Sequence, residues 1–320
     1  MSTKELIISI LEENKGQYLS GEAIGKKLHI SRAAVSKAIK ELKNNGYTIL
    51  SVNKKGHCIP TKSNTLSAIE IKKNLKYDNE IIIKNSIDST NTDGKRFLIE
   101  NPAHGTTIIA NEQTNGRGRK GRYFFSPKDT GIYMSILLKP ELLALENPLK
   151  ITIATAVAIT KSIDELCQKN TLIKWVNDIY IEDKKIAGIL TEATTDFESG
   201  SIENIIIGIG INFNTTTFPE ELSTIAGSIF SEEEYFVNRN ELIAQILNEI
   251  MDITNDLNNE NIIKKYREKS FLIGRDIVFF EKEIENSGKV IDIDDNGYLI
   301  VDTISGSKKT LYAGEVSIKW

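Results

Sequence analysis

Residues 31–59, SRAAVSKAIKELKNNGYTILSVNKKGHCI, decide the fold of the N-terminal part of this chain. Ser31 can cap a helix with one apolar face, and that helix is predicted to end at Asn45-Gly46. Two short apolar runs then flank the polar turn 53–56, which is typical of a hairpin. The apolar residues that share the helix face are Val35, Ala38, Ile39 and Leu42.

Two more helices are predicted upstream of this stretch. One carries an apolar stripe over residues 6–11, and Ser20 can cap a short second helix. Three short helices followed by a hairpin form the plan of a winged helix-turn-helix domain, in which the third helix enters the major groove of DNA. A small helical domain that contacts other proteins is the alternative interpretation.

The charge pattern favours DNA. Residues 1–64 hold 11 Lys and Arg against 5 Asp and Glu, whereas the rest of the chain holds 29 against 39. A basic segment on an acidic body is expected when one small domain contacts phosphates, although solvated surface lysines would give the same count. The predicted DNA-binding residues, on the outer face of the third helix and at the tip of the hairpin, are Arg32, Ser36, Lys37, Lys40, Lys54 and Lys55.

Composition excludes several classes of protein. The longest charge-free apolar stretch, residues 151–160, has ten residues, whereas a membrane helix needs about 20. Residues 1–14 contain no uninterrupted apolar segment of a secretory signal, so we expect a cytoplasmic protein with no membrane partner. Cys58 and Cys167 are far apart and the histidines are scattered, so we expect reduced thiols and no metal site built from a protein cluster.

The rest of the chain is predicted to be α+β. Helical periodicity appears at about 89–100, 148–167 and 238–257, which favours a mostly antiparallel sheet with helices on one side. Short strands with glycine-containing turns from about residue 274 predict a small β-barrel. The six strand candidates of the middle part are 81–87, 107–110, 132–138, 172–175, 186–191 and 205–213. The predicted domains are 1–65, a winged helix-turn-helix; 66–272, which carries the chemistry; and 273–320, the barrel.

Three clusters in the middle domain can carry that chemistry. Residues 116–122, GRGRKGR, combine flexible glycines with cations and suit an anionic ligand. A solvated basic loop and a second contact with nucleic acid are the alternatives. Residues 174–178, KWVND, followed by KIAG at 185–188, can bring a carboxylate to a lysine, or else form a plain hairpin. The glycines of GIGIN, residues 208–212, imply that some group packs closely against a strand backbone.

Together with DSTN at 88–91 and KIAGIL at 185–190, these clusters resemble biotin protein ligases in order and spacing. With the winged domain, the chain is similar to the bifunctional ligases that also repress the biotin operon. The resemblance spans essentially all residues and implies a class II synthetase-like central fold. It implies activation of biotin by ATP, with Mg²⁺, to biotinyl-5′-AMP, followed by transfer to a lysine of the biotin carboxyl carrier protein of acetyl-CoA carboxylase or another biotin-dependent carboxylase. It also implies that biotinyl-5′-AMP is a corepressor, that the adenylate-bound chain is a homodimer, and that the dimer binds operator DNA.

The resemblance further implies roles for individual residues on the biotin side of the site. Ser89, Thr90 and Gln113 would contact the ureido ring of biotin. Gly116 and Arg117 would close over the ligand. No covalent intermediate on the protein is needed, because both steps are displacements that depend on positioning and charge.

Other residues are implied to act on the nucleotide, and Arg119, Asp178 and Lys185 are the implied catalytic residues. Arg119 would contact the phosphates or the adenylate, and Lys185 the biotin carboxylate and the α-phosphate. Asp178 is a candidate contact for Mg²⁺ or for Lys185 and the incoming amine. Phe124 would stack on adenine and Asn212 would hydrogen-bond to it.

Gly188 would give the backbone room to approach the ligand, but some positions depart from the family pattern. Val176 stands where the family usually has proline, and Phe124 where some relatives have tryptophan. AGEVS at 313–317 resembles the family's GGEIS, and Lys319 stands where arginine is common. Two alternatives remain: a regulator whose ligase domain only senses biotin, and a lipoate ligase.

Overall fold

The structure is a computed structural model that describes residues 2–44, 47–60, 63–143, 147–195, 198, 200–231, 236–281, 284–312, 314 and 316–318. The predictions for Asn45-Gly46, Ala313, Glu315 and Lys319 lie outside these residues.

The N-terminal domain has the predicted winged helix-turn-helix order: α1 (Thr3–Glu13), α2 (Gly21–Leu28), α3 (Arg32–Asn44), β1 (Leu50–Val52) and β2 (Gly56–Cys58). Both predicted caps form, because the Ser20 hydroxyl accepts from the backbone N–H of Ala23 and the Ser31 hydroxyl from that of Ala34, at 3.0 and 3.1 Å. The apolar faces of the three helices meet in a core of their own. The winged domain is therefore confirmed.

The central part is built on one seven-stranded sheet. Its elements are α4 (Ala68–Lys73), β3 (Ile81–Lys84), α5 (Thr90–Phe97), β4 (Thr106–Ala110), β5 (Gly131–Leu138), α6 (Leu149–Cys167), β6 (Thr171–Lys174), β7 (Asp178–Ile181), β8 (Lys184–Thr195), β9 (Ile202–Asn212), α7 (Glu220–Ser223), α8 (Arg239–Thr254) and α9 (Glu260–Lys269). The strand order is β3-β4-β5-β9-β8-β7-β6, and among the pairs of described strands in this sheet the β3–β4 pair alone is parallel. The mostly antiparallel sheet is confirmed, whereas α4, α7, α9 and β7 were not predicted as elements.

The helices lie on both faces of this sheet. Ile109 and its face neighbours pack in the large core that α6 and α8 cover. Ile108, one residue earlier, points to the opposite face and packs with Leu137, Ile206 and Phe97 of α5. The expectation that all helices lie on one side is therefore wrong for α5. Its position places the N-terminus of α5 at the ligand cavity described below.

The C-terminal part is an antiparallel sheet of β10 (Asp276–Glu281), β11 (Ile284–Ile293), β12 (Leu299–Thr303), β13 (Lys308–Leu311) and β14 (Val316–Ile318), in the order β13-β12-β11-β10-β14. The predicted strands are thus confirmed as an antiparallel sheet. Its closure into the predicted small β-barrel stays a prediction, because β13 and β14 at the two edges do not pair with each other among the described residues. The indole N–H of Trp175 donates to the carbonyl of Gly297 at 2.9 Å and ties this sheet to the central one. The domain boundaries at 65/66 and 272/273 stay predictions.

Within the part of the chain that the structure describes, no helix has the length and apolar character needed to cross a lipid bilayer.

Candidate functional site

A cavity of about 300 Å³ lies between residues 117–125 and the strands β7, β8 and β9. All of the residues that the sequence assigns to ligand binding or catalysis line it, with the exception of Gly116. Those that line it are Ser89, Thr90, Gln113, Arg117, Arg119, Phe124, Asp178, Lys185, Gly188 and Asn212. Residues separated by more than 120 positions in the chain are thereby brought to one site.

Gln113 is held at one wall of the cavity by a chain of hydrogen bonds. Its Oε1 accepts from the backbone N–H and the hydroxyl of Thr90 at 2.8 and 3.2 Å. Its Nε2 donates to the hydroxyl of Ser126 at 2.9 Å, and Ser126 in turn donates to the carbonyl of Phe124. The amide is therefore oriented before any ligand contact, which suits recognition of a polar ring. Ser126 was not predicted.

Ser89 occupies the N-cap position of α5, but its hydroxyl does not cap the helix. Its backbone N–H donates instead to Asp88 at 2.8 Å. Arg96 donates to both oxygens of Asp88 at 3.0 and 2.6 Å, and this pairing holds the pKa of the Asp88 carboxyl below its usual range. Ser89 thus lines the cavity, and its hydroxyl has no role at the helix end.

Residues 116–122, called here the glycine-arginine loop, fold into a tight turn against residues 122–124. The N–H of Gly118 donates to the carbonyl of Arg122 at 2.7 Å, and the N–H of Phe124 to that of Gly116 at 2.9 Å. A Cβ on Gly116 would lie 2.3 Å from the carbonyl oxygen of Phe124, so only glycine lets the two ends of the turn approach. Gly116 therefore shapes the loop and does not line the cavity.

Two of the arginines of this loop that line the cavity, Arg117 and Arg119, have partners on β8 and in the turn between β6 and β7. Arg117 pairs with Glu192 of β8 at 3.2 Å. Arg119 donates at 3.0 Å to the Oδ1 of Asn177, whose Nδ2 donates to the carbonyl of Ile189. Glu192 was not among the predicted site residues. The strand period could have indicated it, because Glu192 follows Gly188 by four residues and Leu190 by two, and this spacing puts the three residues on one face of β8.

Lys185 and Asp178 form an ion pair in the cavity. Their Nζ and Oδ1 atoms are 2.6 Å apart, and the two side chains are 33% and 23% exposed. The antiparallel strands β7 and β8 bring them together through the turn after Ile181. The plain hairpin and the lysine-carboxylate site, which were alternatives at the level of sequence, are thus the same structure.

Gly208 and Gly210 of β9 make room for side chains, as the sequence indicated. Gly188 and Gly210 are paired across β8 and β9, and a Cβ on Gly210 would lie 2.6 Å from the ring of Phe124. A Cβ on Gly208 would lie 2.2 Å from Oδ1 of Asn91. Phe124 and Asn91 are therefore the groups that pack against the strand backbone. The role of Gly188 toward a ligand stays a prediction.

Asn212 lies at the end of β9 and has one side-chain group in use. Its Nδ2 donates to the carbonyl of Gly227 at 2.9 Å, and its Oδ1 is buried without a hydrogen bond from the described residues. A buried acceptor of this kind is costly unless a ligand donor satisfies it. The C-terminal sheet completes the wall through Val316 and Ser317.

Among the described residues that line the cavity, Asp178 is the one carboxylate. The described ranges contain no group of three or more His, Cys, Asp or Glu residues that could hold a metal ion.

The predicted DNA-binding residues are all exposed. Arg32, Ser36, Lys37 and Lys40 are exposed on α3, and Lys54 and Lys55 are exposed in the turn of the wing. The wing is seated against the start of α2, since the N–H of Leu19 donates to the carbonyl of His57 at 2.9 Å and the reverse bond measures 2.8 Å. A Cβ on Gly56, at φ 112°, would lie 2.1 Å from the carbonyl oxygen of Leu19, so this seat requires glycine.

Three sequence families match consecutive parts of the chain. The HTH domain matches residues 3–57, the Biotin/lipoate A/B protein ligase family matches residues 83–212, and the Biotin protein ligase C terminal domain matches residues 281–319.

Full-length relatives and solved structures agree with these matches. The chain is 32% identical to the bifunctional ligase/repressor BirA of Bacillus subtilis, over 98% of this chain and 97% of that protein. It is 28% identical to the bifunctional ligase/repressor BirA of Escherichia coli, over 95% and 94% of the two chains. The biotin protein ligase from Aquifex aeolicus, solved in complex with biotin and ATP, has a similar structure with a TM-score of 0.64 and 26% identity, over 75% of this chain and 98% of that one.

Proposed function

The chain belongs to the biotin protein ligase family, among its bifunctional ligase/repressor members, and on that premise we propose that it activates biotin with ATP, attaches it to a carrier protein and represses transcription when biotinyl-5′-AMP accumulates. The observation that carries the proposal is the single cavity that collects Gln113, Arg119, Asp178, Lys185 and Asn212. The cavity offers the amide of Gln113 as a polar partner, the cations Arg119 and Lys185, and the buried Oδ1 of Asn212 as an acceptor without a hydrogen bond from the described residues.

The first step joins a biotin carboxylate oxygen to the α-phosphorus of ATP, and the bond between that phosphorus and pyrophosphate breaks. Negative charge grows on the α-phosphate oxygens as this happens. We assign the stabilisation of that charge to the Lys185 ammonium, which Asp178 holds at 2.6 Å in the cavity, and to Arg119 as a second cation. Oriented charges of this kind act mainly on the transition state.

In the second step the amine of an acceptor lysine attacks the carbonyl carbon of biotinyl-5′-AMP, and the bond to AMP breaks. The amine must lose a proton. Asp178 is the carboxylate among the described residues that line the cavity, and we assign to it the reception of that proton. The acceptor is proposed to be the biotin carboxyl carrier protein of acetyl-CoA carboxylase or of another biotin-dependent carboxylase.

Mg²⁺ is proposed to enter with ATP. Mg²⁺ sites commonly combine one or two carboxylates with substrate phosphates and do not need a protein cage. Asp178 would hold the ion, which would neutralise phosphate charge. The remaining residues of the cavity bind and orient the two substrates.

The ligase half is tested by mixing the purified chain with biotin and ATP and measuring pyrophosphate release, then adding labelled biotin and the carrier protein. We expect pyrophosphate with biotin but not with lipoate, and label on one lysine of the carrier. Binding of biotin without pyrophosphate would indicate a sensor with an inactive ligase domain. Pyrophosphate with lipoate only would indicate a lipoate ligase.

The repressor half requires two winged domains, because one basic domain that mainly contacts phosphates binds DNA with little sequence preference. We propose that adenylate-bound chains form a homodimer through an edge of the central sheet, β3 or β6, and so present two winged domains to inverted half-sites. Titration of operator DNA with and without biotinyl-5′-AMP, at one fixed salt concentration, tests this. By linkage, operator DNA must raise adenylate affinity by the same factor. Identical operator affinity in both titrations would refute the corepressor role.

A further inference from the structure

Glu192 lies outside the cavity lining but joins the sheet to the glycine-arginine loop. Its side chain, on β8, is 17% exposed. Its two carboxylate oxygens accept from three residues: Asn91 at 2.9 Å, Lys95 at 2.8 Å and Arg117, at 3.3 Å for the hydrogen bond and 3.2 Å for the ion pair. Two of these partners belong to α5, and the third belongs to the loop.

The α5 side of this cluster is rigid. Asn91 is buried, packs on Gly208, and its Oδ1 accepts from the hydroxyl of Ser135 at 2.6 Å. The Nδ2 of Asn91 also donates to the carbonyl of Leu190 at 3.1 Å. Since Asn91 is bound on both sides, the carboxylate it contacts is fixed relative to the sheet.

Glu192 remains ionised in this setting. Burial raises its pKa, but the hydrogen bonds from Lys95 and Asn91 and the charges of Lys95 and Arg117 outweigh burial and leave the pKa below its usual range. A fixed anion is therefore available to hold a cation of the loop at neutral pH.

We propose that Glu192 is a positioning residue that anchors the glycine-arginine loop over the ligand cavity through Arg117. The inference rests on the proposed function for the identity of the ligands. Arg117 lines the cavity while its guanidinium is held by Glu192, and Arg119 is held separately by Asn177. The loop is thus fixed at two points on opposite sides of Gly118.

The consequence is a division of roles within the loop. Arg117 and its anchor set how well the loop covers the ligand, in the ground state and the transition state alike, which affects KM more than kcat. Lys185 and Asp178 act on the charge that develops, which affects kcat. Loss of the anchor should therefore weaken apparent biotin binding and leave turnover nearly unchanged.

The test uses the full-length chain and the substitutions Glu192→Gln and Arg117→Ala, alone and together. Gln has nearly the shape of Glu but lacks the charge, and it presents an amide donor to Lys95 and Arg117. Lys95→Met is the matched control, because it removes another partner of Glu192 without touching the loop. Two readouts are used for each variant: pyrophosphate release as a function of biotin concentration, and the rate of tryptic cleavage within residues 117–122.

We expect Glu192→Gln to raise the KM for biotin about tenfold, with kcat within threefold, and to speed tryptic cleavage of the loop. Lys95→Met should leave KM, kcat and cleavage within twofold of the wild type. The double variant should match the more affected single variant, because both substitutions remove one interaction. Glu192→Asp keeps the carboxylate, and a wild-type KM for biotin in this variant would support the requirement for a negative charge at position 192.

An unchanged KM and an unchanged cleavage rate in Glu192→Gln would overturn the proposal. A double variant whose KM rises by the product of the two single effects would overturn it as well, since the two residues would then act independently. Absence of pyrophosphate from the wild-type chain would instead count against the proposed function. In that case the cleavage comparison still decides whether Glu192 fixes the loop.

Discussion

Replacement of Lys185 by alanine should reduce the rate of adenylation strongly without weakening the fold. The Nζ of Lys185 is 2.6 Å from Asp178 in the cavity, and a Cβ on Gly188 would lie 3.4 Å from the same nitrogen. One charged donor aimed at growing negative charge contributes about 3 to 4 kcal/mol to a transition state, so kcat should fall about 10²- to 10³-fold. The biotin KM should change much less, because the ground state carries less charge at that point.

The effect on stability should be small. Lys185 and Asp178 are 33% and 23% exposed, and ion pairs that are partly open to water contribute about 1 kcal/mol or less. The assay is pyrophosphate release at saturating biotin and ATP, with thermal unfolding measured in parallel. Lys264→Ala, on the exposed surface of α9, is the control for removal of a lysine. A kcat for Lys185→Ala within threefold of the wild type, with the fold intact, would show that Lys185 has no part in the reaction.

Three further outcomes are expected. Gly210→Ala places a Cβ 2.6 Å from the ring of Phe124 and should displace that ring. If the ring stacks on adenine, the KM for ATP should rise about tenfold or more. An unchanged KM for ATP would exclude the stacking role. Substitution of both Lys37 and Lys40 by alanine should weaken operator binding at least tenfold and lower its salt dependence, with pyrophosphate release unchanged; wild-type affinity would exclude α3 as the groove-facing helix. Burial and the charge of Glu70 raise the pKa of Glu12 in the folded chain from 4.5 to about 7. The contribution of this carboxyl to the free energy of unfolding is therefore fully present below pH 4.5 and is lost as the pH rises through 7. Glu12→Gln should therefore be more stable than the wild type at pH 8, by on the order of 1 kcal/mol, with the difference shrinking toward pH 5; denaturant unfolding at the two pH values measures this.

The N-terminal domain could be predicted almost completely from local pattern. Its helices follow from apolar spacing and from Ser20 and Ser31, whose caps form as expected. Such features depend on residues within three or four positions of each other, so each is visible in a short stretch of sequence. The exposed cations of α3 follow from the same periodicity.

Prediction was weaker where distant segments meet. The placement of α5 on the opposite face of the sheet follows from the connection between β3 and β4, which are parallel and need a crossover. Helical periodicity shows that a helix has a buried side but not which face of the sheet covers it. Strand β7 is absent from the strand candidates and enters only through the alternative of a plain hairpin, because its four residues, of which one is buried, are too few to show a strand pattern.

The types of residue in the site are evident from the amino-acid sequence. The sequence shows paired glycines, a run of arginines, and a lysine near an aspartate, and these features do not depend on how the chain folds. Their type and order indicate the family and most of the cavity lining. Which of these residues contact one another depends on the tertiary structure. Gly210 leaves room for Phe124 and Gly208 for Asn91, and Arg117 pairs with Glu192, 75 positions away. Each of these contacts depends on the register of strands that are far apart in the chain, and register is set by the packing of the whole sheet.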